Sequence, residues 1–375
     1  MLAPVFPASL PAATFSVNSG HDIEDLEPGN GLCVAYIIFN LPAVLPFCTL
    51  RAAIEEANSL PGEDTIYLDA GTYTLSLAGT GEDRAASGDL DITDSLRIIG
   101  AGADRTVIDA AGLDRVFDIS GPATKVFLSG ITIRGGALPA GLPAGERDGG
   151  GVRNRASLSL SRVVVVGNVA SGAGGGLFNG ATGRLAVQAS TIAANSAAEG
   201  GGLRNSGSAT MTNATISGNR AGSRGGGADN DGSLRLVQCT IAANSAAMGG
   251  GVAGPGRLAM VNTLLAGNSG GNCFLAAAIE SEGGNLDSGS TCGLVGGADM
   301  EDVDPRLGPL ADNGGQTPTH ALSPGSPAMD HGLTLPDIVT DQRGAPRPTR
   351  QGYDIGAYEA PELSMAPCLA PLLLH

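Results

Sequence analysis

The triplet Gly-Gly-Gly starts at Gly149, Gly174, Gly200, Gly225 and Gly249, at intervals of 25, 26, 25 and 24 residues. Two series of asparagines keep the same period: Asn168, Asn195, Asn219, Asn244 and Asn268, and then Asn154, Asn179, Asn205 and Asn230. The pairs Thr191-Ile192, Thr215-Ile216, Thr240-Ile241 and Leu264-Leu265 precede members of the first series. A fixed period near 25 residues means one supersecondary unit repeated along the chain. Such a unit cannot bury its apolar face alone, so the units must stack on one another.

Within a unit, apolar and polar residues alternate, as in RLAVQASTIAAN and SLRLVQCTIAAN. Alternation with period two is the signature of strand, and no repeat shows helical spacing with caps. Leucine-rich repeats have a similar length, but the leucine frame they need is missing. The pattern predicts an all-β chain, a right-handed parallel β-helix over residues 63–300 with clear repeats over 149–272. Each coil is expected to supply two or three short strands, about 4.8 Å from the next coil. Ile, Val, Leu and Thr take the inward positions, and Gly supplies left-handed turns. The Asn series read as stacked, turn-supporting amides, with a row of sugar-binding amides as the alternative. Upstream runs such as DTIYLDAGTYTLSL and GDLDITDSLRIIGAG read as the first three or four coils, and GGNLDSGSTCGL reads as a last irregular one.

Composition agrees. With 59 Gly in 375 residues, 3% aromatics and no Trp, the chain lacks the material of a conventional globular core. Its 15% charged and 42% hydrophobic residues exclude a disordered polyelectrolyte. The glycines follow no G-X-Y order, which excludes collagen. No run of 18 apolar residues exists, so no transmembrane helix is expected.

The open ends of a coil stack need covers. In CTLRAAIEEANSLPG, Leu50, Ala53, Ile54 and Ala57 share one helical face, with Thr49 as N-cap and Pro61-Gly62 as stop. This predicts a capping helix over 49–59 within an N-terminal cap at 14–62, and no catalytic role for Glu55 or Glu56. Residues 301–360 are rich in Pro and Gly and predict an irregular segment lying along or over the last coils. Residues 1–13 read as a truncated export signal or a disordered leader. The tail, 361–375, carries no LPxTG-type sorting motif.

The net charge is −16, but nine Arg against Glu199, Asp229 and Asp231 give the stretch 152–268 a charge of +6. Lys125 is the only lysine, and no dense basic patch exists for nucleic acid. Of six cysteines, Cys33 with Cys48 and Cys273 with Cys292 bracket short loops and are expected to form disulfides in an oxidising compartment. Cys239 reads as a buried thiol, and Cys368 has no evident partner.

Chemistry-bearing clusters are few. Asp229 and Asp231 flank Asn230 and read as solvated turn residues. Glu82, Asp83, Asp89, Asp91 and Asp94 form a second acidic set. Asp89 and Asp91 share a strand phase and are the candidate Ca²⁺ ligands, with an exposed charged loop as the alternative. His320, Asp330 and His331 lack a third ligand at metal spacing. Phe178 is the only aromatic between Val152 and Asn268, which leaves little for stacking on sugars. No catalytic residue is assigned, and no cofactor is required.

CTLRAAIEEAN with its preceding Cys33 resembles the CSLREA-domain motif of bacterial exported proteins. The segment DPRLGPLADNGGQTPTHALSPGSPAMD, with TDQRGAPRP and DIGAYE, resembles the choice-of-anchor Q domain. The repeats are similar to the GGA(I/L) and FxxN repeats of chlamydial polymorphic outer membrane proteins, with Ile192, Ile216 and Ile241 where the Phe stands. These resemblances imply an exported, cell-surface bacterial β-helix and no particular reaction. The expected function is a non-catalytic adhesin or extracellular scaffold, a monomer presenting Asn, Ser, Thr and Arg to glycans or other surfaces. The alternatives are a pectin-type polysaccharide lyase or hydrolase, with acids from the N-terminal coils or C-terminal segment, and a rigid spacer.

Overall fold

The computed structural model describes residues 12–35 and 47–362. The chain folds as a right-handed parallel β-helix. Three long parallel sheets form its walls: a first of ten strands from Thr14–Val17 to Glu280–Ser281, a second of ten from Gly71–Thr74 to Met300–Glu301, and a third of eight from Leu90–Ile92 to Cys273–Leu275. A fourth, four-stranded sheet is inserted between the second and third, from Ala137–Leu138 to Arg220–Arg224. The middle coils therefore carry four strands, one more than the alternation predicted. The extra strand is short and rich in Ala, Ser and Arg, so its pattern is faint in the sequence.

Like residues stack on like. The first sheet aligns Leu158, Leu185, Ala209, Leu234 and Leu258 inward. The second aligns Val165, Ile192, Ile216, Ile241 and Leu265. All are buried in one continuous core. Aliphatic columns fill the narrow interior, and this explains the near-absence of aromatics.

The glycine triplets mark the corner between the fourth and third sheets. Gly200 has φ +61°, and a Cβ on Gly201 would stand 2.5 Å from the Arg220 carbonyl of the next coil. Neither position accepts a side chain. Beneath this corner, Asn168, Asn195, Asn219, Asn244 and Asn268 form a buried ladder. Each Nδ2 donates to the next Oδ1 at 2.9–3.0 Å within the series. The ladder runs on to Asn272, which donates to Asp287. Asn154, Asn179, Asn205 and Asn230 form a second buried ladder at 2.7–2.8 Å. These amides spend their bonds on one another and on the backbone, as stacked, turn-supporting amides do, so they are not displayed to a ligand as the alternative reading required.

Both covers are built. The helix Leu50–Ser59 caps the first coil, with the Thr49 hydroxyl accepting from Ala52 N–H at 3.1 Å. Its polar residues act as bolts as well. Arg51, fully buried, donates to Asp22 and to the carbonyls of Ala85, Gly88 and Asp89. Glu56 accepts from Gly29 and Gly31 N–H, and Asn58 Nδ2 donates to Asp91 O. Residues 305–360 form a strap over the outer face of the second sheet. It is less irregular than expected, because it includes the antiparallel pair Leu307–Ala311 and Thr319–Leu322. Its anchors are Thr191 Oγ1 to Pro318 O, Thr215 Oγ1 to Gln342 Oε1, Ser217 Oγ with His320 Nε2, and Ala357 N–H to Thr240 Oγ1.

Disulfides join Cys33 to Cys48 and Cys273 to Cys292, as expected from their spacing. Cys239 is a fully buried thiol whose pKa burial pushes up to about 12. Among the described residues no helix is long and apolar enough to cross a membrane. Residues 1–11, most of the expected leader, and 363–375, with Cys368, lie outside the described residues.

Candidate functional site

The second sheet is covered by the strap, whereas the third sheet's outer face is open in part, at Phe178, Arg204 and Phe274. Its strands are three residues long. The first residue of each points inward, and the third is Ile or a ladder Asn over most of the sheet. Side chains alternate across a strand, so the middle residue of each points outward. In register these middle residues are Asp91, Asp118, Arg153, Phe178, Arg204, Asp229, Ala253 and Phe274. They make one row, stepping about 4.8 Å per coil.

The row has two charged stretches with an aromatic after each. At the N-terminal end, Asp118 binds Arg153 through both oxygens and Arg155 at 2.9 Å. Arg115 pairs with Asp89 at 2.7 Å, and Glu146 bridges Arg115 and Arg153 at 3.4 and 3.0 Å. Loops 80–89 and 139–148 fold over this end, so Asp89, Asp91, Asp118, Arg115 and Arg153 are all buried. The exposed loop expected around Asp89 and Asp91 is therefore corrected: both are under cover, and Ala85 N–H donates to Asp91 Oδ2 at 2.9 Å.

In the middle stretch, Arg204 binds Asp229 and Asp231. Arg224 reaches the same two acids at 3.2 and 3.3 Å, and Glu199 lies 3.5 Å from Arg204. Asp229 is not a solvated turn residue. It sits mid-strand in Ala228–Asn230, wholly buried, with Oδ1 unpartnered. Asp231, just past the strand, stays partly open. The sequence hid this because the partner of Asp229 is one coil back, at Arg204. Phe178 is half-buried between the two stretches, and Phe274 on the last coil is 54% exposed. Phe274 was not singled out by sequence reasoning. Only its register with Phe178 and Arg204 gives it meaning.

Asp91 has acids around its side chain, Asp83, Asp89 and Asp118 among them, and no arginine bound to it. Burial, and then the charges of Asp89 and Asp118, push its pKa up to about 8. Asp89 is raised by burial to about 7 against the pull of Arg115. Asp83, Asp91 and Asp118 offer oxygens within 4.8 Å of one another. These residues do not fit Ca²⁺. A hard cation of that size takes six to eight oxygens, and both Asp118 oxygens are already held by arginines. Asp89 faces Arg115 instead of joining Asp91 in a ligand set.

A carboxyl whose pKa rises on folding binds its proton more tightly in the native state. Its stabilisation is therefore lost as pH climbs from the ordinary value near 3.8 through about 8. Asp91→Asn keeps an acceptor for Ala85 N–H and removes the charge. At pH above 8 the variant is expected to unfold several degrees higher than the wild type, and the difference is expected to shrink as pH falls toward 4, in thermal scans followed by circular dichroism. A wild-type melting temperature that rises between these pH values would contradict the buried, protonated state of Asp91.

No family model matches the chain, and no curated protein matches it. Among solved structures, the chain is similar to that of pectate lyase Pel9A, at 14% identity and a TM-score of 0.46, covering 94% of this chain and 98% of that one. It is also similar to pectin methylesterase PemA from Erwinia chrysanthemi, at 14% identity and a TM-score of 0.30, covering 76% and 71%. What the site can do follows from its own residues.

Proposed function

We propose that the protein is an exported β-helix that binds a glycan chain along the outer row of the third sheet without cleaving it, as an adhesin or extracellular scaffold. The observation that carries this is the placement of Phe178 and Arg204, both half-buried, and Phe274, exposed, on one face, with the partly open Asp231 beside Arg204. Aromatic faces at either end of a charged, hydrogen-bonding stretch suit the alternating C–H and hydroxyl surfaces of a sugar chain. The acids of the row are neutralised by arginines or buried, which favours binding over proton transfer. Two disulfides support an oxidising, extracellular setting. The CSLREA-like and choice-of-anchor Q-like motifs support placement at a bacterial surface.

The test is retention and turnover on one set of neutral and acidic polysaccharides. The wild type is expected to be retained by at least one of them and to release no reducing ends or unsaturated products. Phe274→Ala, at an exposed position, is expected to weaken retention about tenfold with unchanged folding. No retention on any of them sinks the proposal.

A second reading, polysaccharide cleavage, is favoured by one observation. Burial pushes the Asp91 pKa up to about 8 beside Asp83 and Asp118, the direction a general acid needs. Turnover that Asp91→Asn abolishes would establish it.

A further inference from the structure

Buried carboxylates of this chain are held by arginines: Asp22 by Arg51, Asp89 by Arg115, Asp118 by Arg153 and Glu359 by Arg347. Asp64 is 1% exposed and has no cationic partner among the described residues. Its Oδ1 accepts from Ala13 N–H at 2.6 Å, and its enclosed Oδ2 has no partner among them. Burial raises its carboxyl and the charge of Asp94 adds to that, while the bond from Ala13 pulls the other way. Arg97, on the next strand, pairs with Glu63 at 3.5 Å instead.

Ala13 stands immediately before the strand Thr14–Val17, the outermost of the first sheet. Its carbonyl accepts from Thr65 N–H at 3.0 Å, so the residue is fixed on both sides. Ala12, just ahead of it, is exposed. An amide N–H carries one hydrogen and no charge. It satisfies one carboxylate oxygen and leaves the buried charge uncompensated. An α-ammonium on the same nitrogen carries three hydrogens and a full positive charge, enough for both oxygens. Hydrolysis of the Ala12–Ala13 bond makes that group. Water adds across the bond, Ala12 keeps the new carboxylate, and Ala13 keeps the nitrogen, protonated at neutral pH. The bond joins two small residues and is open on its Ala12 side to an endopeptidase.

We propose that the chain is cut between Ala12 and Ala13 and that the new α-ammonium of Ala13 seats on Asp64, locking the first strand to the coil beneath it. The endopeptidase belongs to the export route, so in that respect the proposal rests on the export reading above. Glycan retention does not depend on the cut, and the two fail separately.

For the test, the full chain carries an enteropeptidase recognition sequence in place of residues 8–12, is folded, and is then cut before Ala13. Thermal unfolding is compared before and after the cut, for the wild type and for Asp64→Asn, which keeps an acceptor for Ala13 N–H and removes the charge. At pH 7 the cut is expected to raise the wild-type melting temperature by a few degrees and to leave that of Asp64→Asn level or lower. Asp64→Asn is then harmless or stabilising in the uncut chain and destabilising in the cut one, a reversal that a plain strand-end hydrogen bond would not give. The charged groups around the seat are Asp64, Asp94 and the Glu63–Arg97 pair. Titrated by pH-dependent labelling, the Ala13 amine is expected to keep its proton above pH 9, against about 8 for a free chain end, and to return to about 8 in Asp64→Asn. A cut that shifts both proteins equally, or an amine that titrates near 8 in both, overturns the seat. The full chain is also exported from a bacterial host behind a periplasmic signal sequence, and its first residue is read by peptide mass mapping. Ala13 is expected there, and a chain that keeps Ala12 overturns the processing.

Discussion

Ile216→Asp is expected to unfold the coil stack. Ile216 is fully buried and lies in register between Ile192 and Ile241 of the adjoining coils. The new carboxyl would stand between the aliphatic side chains of Ile192 and Ile241. Ionised or protonated, it loses its water for nothing, a cost of roughly 5 kcal/mol or more. That approaches the whole stability of an ordinary domain. Ile216→Val, which removes one methyl group, is expected to cost only about 1 kcal/mol. Thermal unfolding of the two variants checks the pair. An Asp variant that melts with the wild type would refute the inward assignment of this column.

Arg347→Ala is expected to release the strap. Arg347 is buried within it, bonded to Glu359 at 2.9 Å and to the carbonyls of Asp354 and Gly356 at 3.0 and 2.7 Å. Removing the guanidinium strands Glu359 without its counter-charge. Breaking such a buried pair costs about 3–5 kcal/mol. Limited proteolysis is expected to cut within residues 305–360 while the coils stay resistant. A digestion pattern identical to the wild type would show that the strap is held elsewhere.

The fold was legible where the sequence repeats itself. Gly-Gly-Gly, the Asn series and the Ile columns each report a position that recurs once per coil, and stacking converts recurrence directly into contact. The N-cap Thr49 and both disulfides were legible from local spacing. What could not be read were relations between different coils and their covers. Asp91 and Asp229 looked like exposed acids because solvation is set by loops and arginines distant in sequence: Arg204 stands 25 residues from Asp229, and Arg115 stands 26 from Asp89. Phe274 and Phe178 lie far apart in the chain, and only the register places them on one row. The strap was expected over the last coils, but its partners, such as Thr191 for Gln342, lie 151 residues away and leave no local trace.

The strap also fixes how long this protein can be. It grips Thr191, Thr215, Thr240 and Asn262, one anchor on each of four successive coils. An ordinary stack tolerates gain or loss of a unit, because each coil meets only its neighbours. Here a coil deleted or duplicated between residues 191 and 262 would move every later anchor by about 4.8 Å relative to the strap. The coils under the strap are therefore a counted set, whereas those between residues 96 and 160, beyond its grip, remain free to vary in number. Variation in the length of this molecule should be confined to its N-terminal coils, while the spacing between Phe178 and Phe274 stays constant.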